Sequence, residues 1–393
     1  MFKDKYKLIG IVLATALVSS AATAGGMMTL IGANRQTVLD IARFAALKNY
    51  ISTQYVEPVE DRVLVEGALT GMVNALGDKH SAYLDAKRFE NLKNHTDAAF
   101  GGIGVVMGHR EGSVVVISVM EGTPGEAAGI LPGDEIYLVE GTQAADLTFE
   151  EVALKIRGEV GTQVAITVRR YENKAAGQYT DHEMKITRDR IHVKTADGEM
   201  LEDGIGYLRI ASFGSSTDKE FKEAMSRLKK ENLKGLILDL RLNHGGLLTT
   251  CVEIAKEIVP KGPIVSIVYR DGSKEEFASS LKAQELPIVV LIDGDSASAS
   301  EILAGALQDS GAATIVGVTS YGKGSVQSIR QLPGSDDGLK LTVAKYYTPK
   351  GRSIDGVGIV PDVTVDGGSE QQLSKAVELL KEKISGNSPK EIS

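Results

Sequence analysis

A single cysteine, Cys251, among 393 residues excludes a disulfide within the chain. Its place in an apolar helical pattern marks it as a core residue. Metal-ligand spacing is missing too. His80, His95, His109, His182, His192 and His244 are scattered, so neither a metal nor a cofactor is expected. Positive charge is short. The formal net charge is −8 and no basic run appears beyond the start, which argues against a nucleic-acid partner. Charge of either sign is absent from residues 8–33, a stretch rich in Ile, Leu, Val and Ala that follows three lysines. That layout is a secretory signal, with Ala22-Thr23-Ala24 as a cleavage site, or an uncleaved membrane anchor, and the anchor is favoured. Either way the remainder is expected to be exported, outside the bacterial cytoplasmic membrane.

One nucleotide motif is nearly present and fails. Gly317-Val318-Thr319-Ser320-Tyr321-Gly322-Lys323 fits the first seven places of a phosphate-binding loop, but Gly324 stands where the magnesium-binding hydroxyl is needed. The residues after it alternate like a strand instead of opening a helix.

What is there lies in residues 288–327. An apolar run, residues 288–292, is bounded by Pro287 and the turn residues Asp293, Gly294 and Asp295, and reads as a buried strand. Three serines spaced by alanines follow, and then Ile302, Leu303, Ala306 and Leu307 recur at helical spacing. A hydroxyl at a strand-to-helix junction meets unpaired N–H groups and a helix dipole that favours negative charge. The serines could equally cap the helix. A second apolar run, residues 314–318, leads to Lys323 between two glycines. A serine needs a base, and a lysine serves only when neutral. That demands a pKa lowered by about three pH units, roughly 4 kcal/mol, supplied mainly by burial. Gln327, four residues on, is an uncharged group able to orient the amine.

Residues 36–93 carry helical stripes interrupted at Pro58 and ended at Gly77-Asp78. Such an arm packs on the body or against a second copy, and a homodimer is one expectation. From Phe100 the chain turns to glycine punctuation and short β-rich runs: a strand over 113–119, a helix over 149–157 and a strand over 163–169. With AAGILPGDEIYLVEG at 127–141, residues 99–188 resemble a PDZ domain. The resemblance implies a groove in which Gly102, Ile103 and Gly104 offer N–H groups to a terminal carboxylate while the ligand adds as a strand. A bridge over 191–202 then leads to strands at 205–213 and 235–240, with helices at 218–230 and 247–259. The strand–helix alternation predicts an α/β body with a largely parallel sheet. Adjacent Gly245 and Gly246, at a strand-to-helix turn, leave N–H groups as an oxyanion hole requires. Residues 346–354 read as loop and edge material, and 373–384 as an amphipathic helix.

The order of these parts resembles the carboxyl-terminal processing, or tail-specific, proteases from about residue 55 to 365, through IGYLRIASF, DLRLNHGG, SASASEILAGALQD, YGKGSVQ and YTPKGRSI. The resemblance implies a serine–lysine endopeptidase that takes unstructured protein C-termini through its PDZ domain, on a ClpP/crotonase-like core. By position, Ser298 is the nucleophile, Lys323 the general base and Gln327 its orienting group. Ala299, with Gly245 or Gly246, would hold the oxyanion. Ser296 and Ser300 are then structural. Arg157 is either a coupling residue between PDZ and protease or a surface ion pair. The family has proline where His244 stands, which raises histidine as a rival base; the position fits turn geometry better. The expected domains are 1–34 (signal or anchor), 35–97 (helical), 98–188 (PDZ), 189–368 (protease core) and 369–393 (C-terminal helix and tail). The rival function is a catalytically inactive envelope adaptor that only binds peptides.

Overall fold

The computed structural model describes residues 34–96, 99–110, 112–283 and 286–386. The leader, residues 8–33, lies outside the described residues. Among those described, no helix is long and apolar enough to cross a membrane. The chain divides into two units, residues 1–83 and 84–393.

In the first unit, helix α1 (Arg35–Gln54) opens on Asn34, whose side-chain oxygen accepts the N–H of Thr37 at 2.9 Å. Helix α2 (Asp61–Asn74) follows the break around Pro58. Asp61 pins the pair together, ion-paired to Lys48 and accepting from Ser52 Oγ. The apolar stripes stay open: Leu39, Ile41, Phe44, Leu47 and Met72 are exposed.

The second unit begins with α3 (Ala86–Thr96). Strand β1 (Ala99–Gly102) precedes β2 (Val105–Arg110), β3 (Ser113–Val119) and β4 (Glu135–Val139). Helix α4 (Phe149–Ile156) is fixed by a capping box, Thr148 N–H donating to Glu151 at 2.8 Å and Glu151 N–H to Thr148 at 3.2 Å. Strands β5 (Gln163–Asn173) and β6 (Gln178–Thr187) complete a sheet of order β2-β3-β4-β5-β6. Val152 and Ile156 of α4 lie in one core with Ile136, Val164, Ile166 and Val168. The stretch expected to be a bridge is not one. β7 (Asp189–His192) pairs with β1, and β8 (Ala196–Met200) pairs antiparallel with β9 (Ile205–Ile210). Both strands are short and polar, so only their partners fix them.

Beyond them come α5 (Thr217–Lys230), β10 (Gly235–Asp239), α6 (Leu248–Ile258), the hairpin β11 (Gly262–Tyr269) and β12 (Lys274–Ser279), β13 (Ile288–Ile292), α7 (Ala299–Asp309) and β14 (Ala313–Gly317). The chain ends with β15 (Ser325–Gln331), β16 (Gly338–Tyr347), β17 (Val363–Thr364) and α8 (Ser369–Ile384). The central sheet runs β8-β9-β10-β13-β14-β17 and is parallel from β9 onward. Alternation along its buried strands feeds two cores. Leu236, Leu238, Val290 and Ile292 meet α5, α6 and α7, whereas Ile237, Val289 and Leu291 meet Ala376 and Leu380 of α8. A second, antiparallel sheet joins β15, β16, β11 and β12. Tyr346, expected in a loop, is therefore a strand residue only 1% exposed.

Helix α8 is locked at the end of β10. Arg241 and Asp239 form an ion pair with side chains 10% and 3% exposed. Tyr207 donates to Asp239 at 2.6 Å, and Arg241 donates to the Ser369 carbonyl at 2.8 Å and to Gln372. Removing one partner strands a buried charge. Arg241→Met is expected to cost about 3–5 kcal/mol in urea unfolding, and Tyr207→Phe only about 1 kcal/mol. Equal losses would contradict the network.

Candidate active site

Three neighbouring parallel strands, β10, β13 and β14, deliver three loops to one end of the sheet, the place where open α/β sheets bind ligands. Strand β13 hands over to α7 through Asp293 to Ser298. Here Ser296 is fully buried, donating from Oγ to the Leu240 carbonyl at 2.8 Å, and Ser300 donates to the Asn243 carbonyl at 2.9 Å. Both outer serines of the triplet thus tie the β13 loop to the β10 loop. Ser298 differs. Its backbone stands at φ 55° and ψ −111°, a left-handed φ that a non-glycine residue adopts only where its surroundings enforce it. Sharp strand-to-helix turns of this kind present a serine hydroxyl at the top of a sheet.

The β10 loop approaches from the side. Asn243 is fully buried; its side chain donates to the Ile210 carbonyl at 2.7 Å, and its own carbonyl receives Ala297 N–H at 3.0 Å. Gly245 comes so close that a Cβ there would stand 2.9 Å from Ser298 Cβ and 3.0 Å from Ala299 N. The glycine is needed for that approach and for its φ of 100°. The two glycines are not equivalent as donors. Gly245 N–H is taken by Asn243 Oδ1 at 2.9 Å, while the N–H of Gly246 has no partner among the described residues. Gly246 sits against Phe213, whose N–H and carbonyl bond the residues on either side of it, Gly245 and Leu247. His244 is exposed in this turn.

The β14 loop brings Lys323, and what joins it to Ser298 is Glu301. This carboxylate is fully buried. Its Oε2 accepts the N–H of Ser298 at 2.8 Å and the N–H of Lys323 at 2.9 Å. Its Oε1 accepts Ser320 Oγ–H at 2.6 Å and Gly322 N–H at 2.7 Å. Gly322 and Gly324 are glycines because residues 355–358 press on them; a Cβ on Gly324 would lie 2.6 Å from Asp355. Gln327 lies in β15, its amide donating to Ser325 Oγ at 2.9 Å and Thr342 Oγ1 at 3.3 Å. Cys251 is buried beside the site, donating from Sγ to the Ala299 carbonyl at 3.2 Å, and burial pushes its thiol pKa up. It is core, as its pattern indicated.

The PDZ turn is a separate element. Gly102 closes β1 opposite Asp189. Ile103 is 1% exposed and its carbonyl accepts Gly125 N–H at 2.7 Å; the Gly104 carbonyl accepts Met120 N–H at 2.8 Å. The turn is thereby pinned through its carbonyls. Among the described residues, strand β2 beyond it is paired on one side only, with β3. Arg157, at the end of α4, stacks on the Phe100 ring at 4.4 Å. Glu301 was the site residue not anticipated. A signal existed, since Glu three places after Ser298 has capping-box spacing, but its reach to residues 320–323 depends on the fold. Glu301→Ala would leave several buried donors without their acceptor, and is expected to lower stability by at least about 3 kcal/mol in urea unfolding. Glu301→Gln, which keeps one oxygen, should cost less, and an unchanged midpoint in Glu301→Ala would contradict this arrangement.

Comparison with known proteins agrees across the chain. Residues 204–365 match the model of peptidase family S41, residues 101–184 a PDZ domain and residues 18–88 the N-terminal domain of the activating protease CtpB. A carboxy-terminal-processing protease of Bartonella bacilliformis is 39% identical over 342 residues, 84% of this chain and 76% of that protein. The carboxy-terminal processing protease CtpA of Bacillus subtilis is 36% identical over 373 residues, 93% of this chain and 78% of that protein. Among solved structures, the photosystem II D1 C-terminal processing protease aligns over 88% of this chain and 97% of its own, at 27% identity and a TM-score of 0.50. The chain belongs to peptidase family S41, as a serine-type C-terminal processing protease carrying a PDZ domain.

Proposed function

We propose that Ser298 and Lys323 form the catalytic pair of an endopeptidase that cleaves exported proteins near a C-terminus held by the PDZ domain. The observation that carries this reading is the shared Glu301 oxygen, which holds the main-chain N–H groups of the two residues 2.8 and 2.9 Å away. The enforced backbone of Ser298 and the close approach of Gly245 support it.

In this scheme Ser298 Oγ attacks the substrate carbonyl carbon while Lys323 Nζ accepts the hydroxyl proton. The oxyanion is held by the N–H groups of Ala299, at the start of α7, and of Gly246. Gly246 replaces Gly245 as the donor from the turn, because Gly245 is already committed to Asn243. The C–N bond breaks as Lys323 returns its proton to the leaving amine. Water then attacks the ester carbonyl carbon while Lys323 takes its proton, and the C–O bond breaks as that proton passes to Ser298 Oγ, releasing the carboxylic product and restoring the pair. Gln327, held by Ser325 and Thr342, offers Lys323 an uncharged acceptor that orients the amine without raising its pKa as a carboxylate would.

Substrate tails add to the open edge of β2, with the carboxylate at Gly102, Ile103 and Gly104. Arg157, stacked on Phe100 in the strand that leads to Gly102, is the proposed link from tail occupancy to the protease. We further infer an exported protein anchored in the bacterial cytoplasmic membrane through residues 8–33, with its catalytic part outside the cytoplasm. The exposed stripes of α1 and α2 suit pairing with a second copy.

The test is cleavage of an unfolded protein with an apolar C-terminus. Ser298→Ala and Lys323→Arg should both lose turnover while still binding the tail, since arginine does not surrender its proton. Wild-type rates in either variant would sink the pair.

A further inference from the structure

Glu301 grips Ser298 and Lys323 by their N–H groups, and a second side chain meets the same two residues at their carbonyls. Tyr346, near the end of β16, is 1% exposed, and its own N–H donates to the Gly324 carbonyl at 3.0 Å. Its hydroxyl donates to the Lys323 carbonyl and lies 3.3 Å from the Ser298 carbonyl. The Glu301 carboxylate adjoins the same hydroxyl. A phenol has one proton to give. Here two carbonyls compete for it, one from each member of the pair.

Resting on the assignment of Ser298 and Lys323 above, we propose that Tyr346 is a positioning residue, whose buried hydroxyl sets the Lys323 loop against the Ser298 turn. Burial first, and then the charge of Glu301, raise the phenol's pKa well above its usual value, so it remains a donor at any working pH. The Ser298 carbonyl also accepts the N–H of Ile302 at 2.9 Å, within α7, and Glu301 holds the N–H groups of both Ser298 and Lys323. Ser298 is thus anchored at the start of a helix, whereas Lys323 stands in the loop between β14 and β15. Deleting the hydroxyl loosens the tie between that loop and the Ser298 turn. Proton transfer should suffer, and substrate binding should not.

Tyr346→Phe keeps the buried ring and deletes only the hydroxyl. With an unfolded protein substrate, kcat should fall by about ten- to a hundred-fold, the penalty for a base displaced by a fraction of an ångström. KM and the affinity for a free C-terminal peptide should stay within about twofold, and the Tm should fall by only about 2–4 °C, because one buried hydrogen bond is lost while the ring packing is intact. A kcat within twofold of wild type would overturn the proposal. So would a loss of kcat fully accounted for by a loss of folded protein, which would make the hydroxyl merely structural. Ser298→Ala measured alongside separates the two readings. If that variant is dead and Tyr346→Phe is fully active, the inference alone falls. If Ser298→Ala still turns over, the pair falls first.

Discussion

A carboxylate sealed from water must have its lone pairs filled by donors, or it destabilises the fold that buries it. Glu301 meets that demand with four donors drawn from two loops, and it sits at the start of α7, where the helix dipole favours negative charge. The demand sets the geometry. Two of those donors are the main-chain N–H groups of Ser298 and Lys323, so satisfying the charge brings the two residues to one point. The strain in Ser298 is maintained in the same way, by bonds that would have to break before it could relax.

The rest of the body exists to supply those loops. The parallel sheet aligns the exits of β10, β13 and β14, and the buried serines on either side of Ser298 fasten the first two exits together. The antiparallel sheet contributes the third loop, because β15 starts directly after Gly324 and β16 carries Tyr346 back beneath it. Helix α8, held by Arg241, closes the opposite face of the parallel sheet. The PDZ sheet is built on its own core, and the chain passes from it to the protease through the β1–β7 ribbon.

Much of this was legible in the chain. Strands 113–119 and 288–292 were readable to the residue because each is a short run rich in valine and isoleucine between turn signals. The serine and lysine stood out because glycine and small residues surround them. Other features were not legible, for a common reason. Residues 189–192 and 196–200 are strands fixed by their pairing with β1 and β9, and their local sequences are too polar to declare it, while Tyr346 and Tyr347 are fixed by pairing with β11, far back in the chain. Glu301 reads as an ordinary first-turn residue, although its role is set by residues some twenty positions away. Likewise, Gly245 and Gly246 are interchangeable on paper. Only the Asn243 side chain distinguishes them.

The central claim is that one serine of the triplet is reactive and that Lys323 makes it so. Intact-mass and peptide-mapping analysis after treatment with a fluorophosphonate tests this most directly. The expected result is a single adduct on Ser298 in the wild-type protein and almost none in Lys323→Arg. An adduct on Ser296 or Ser300, or equal labelling of both proteins, would contradict it.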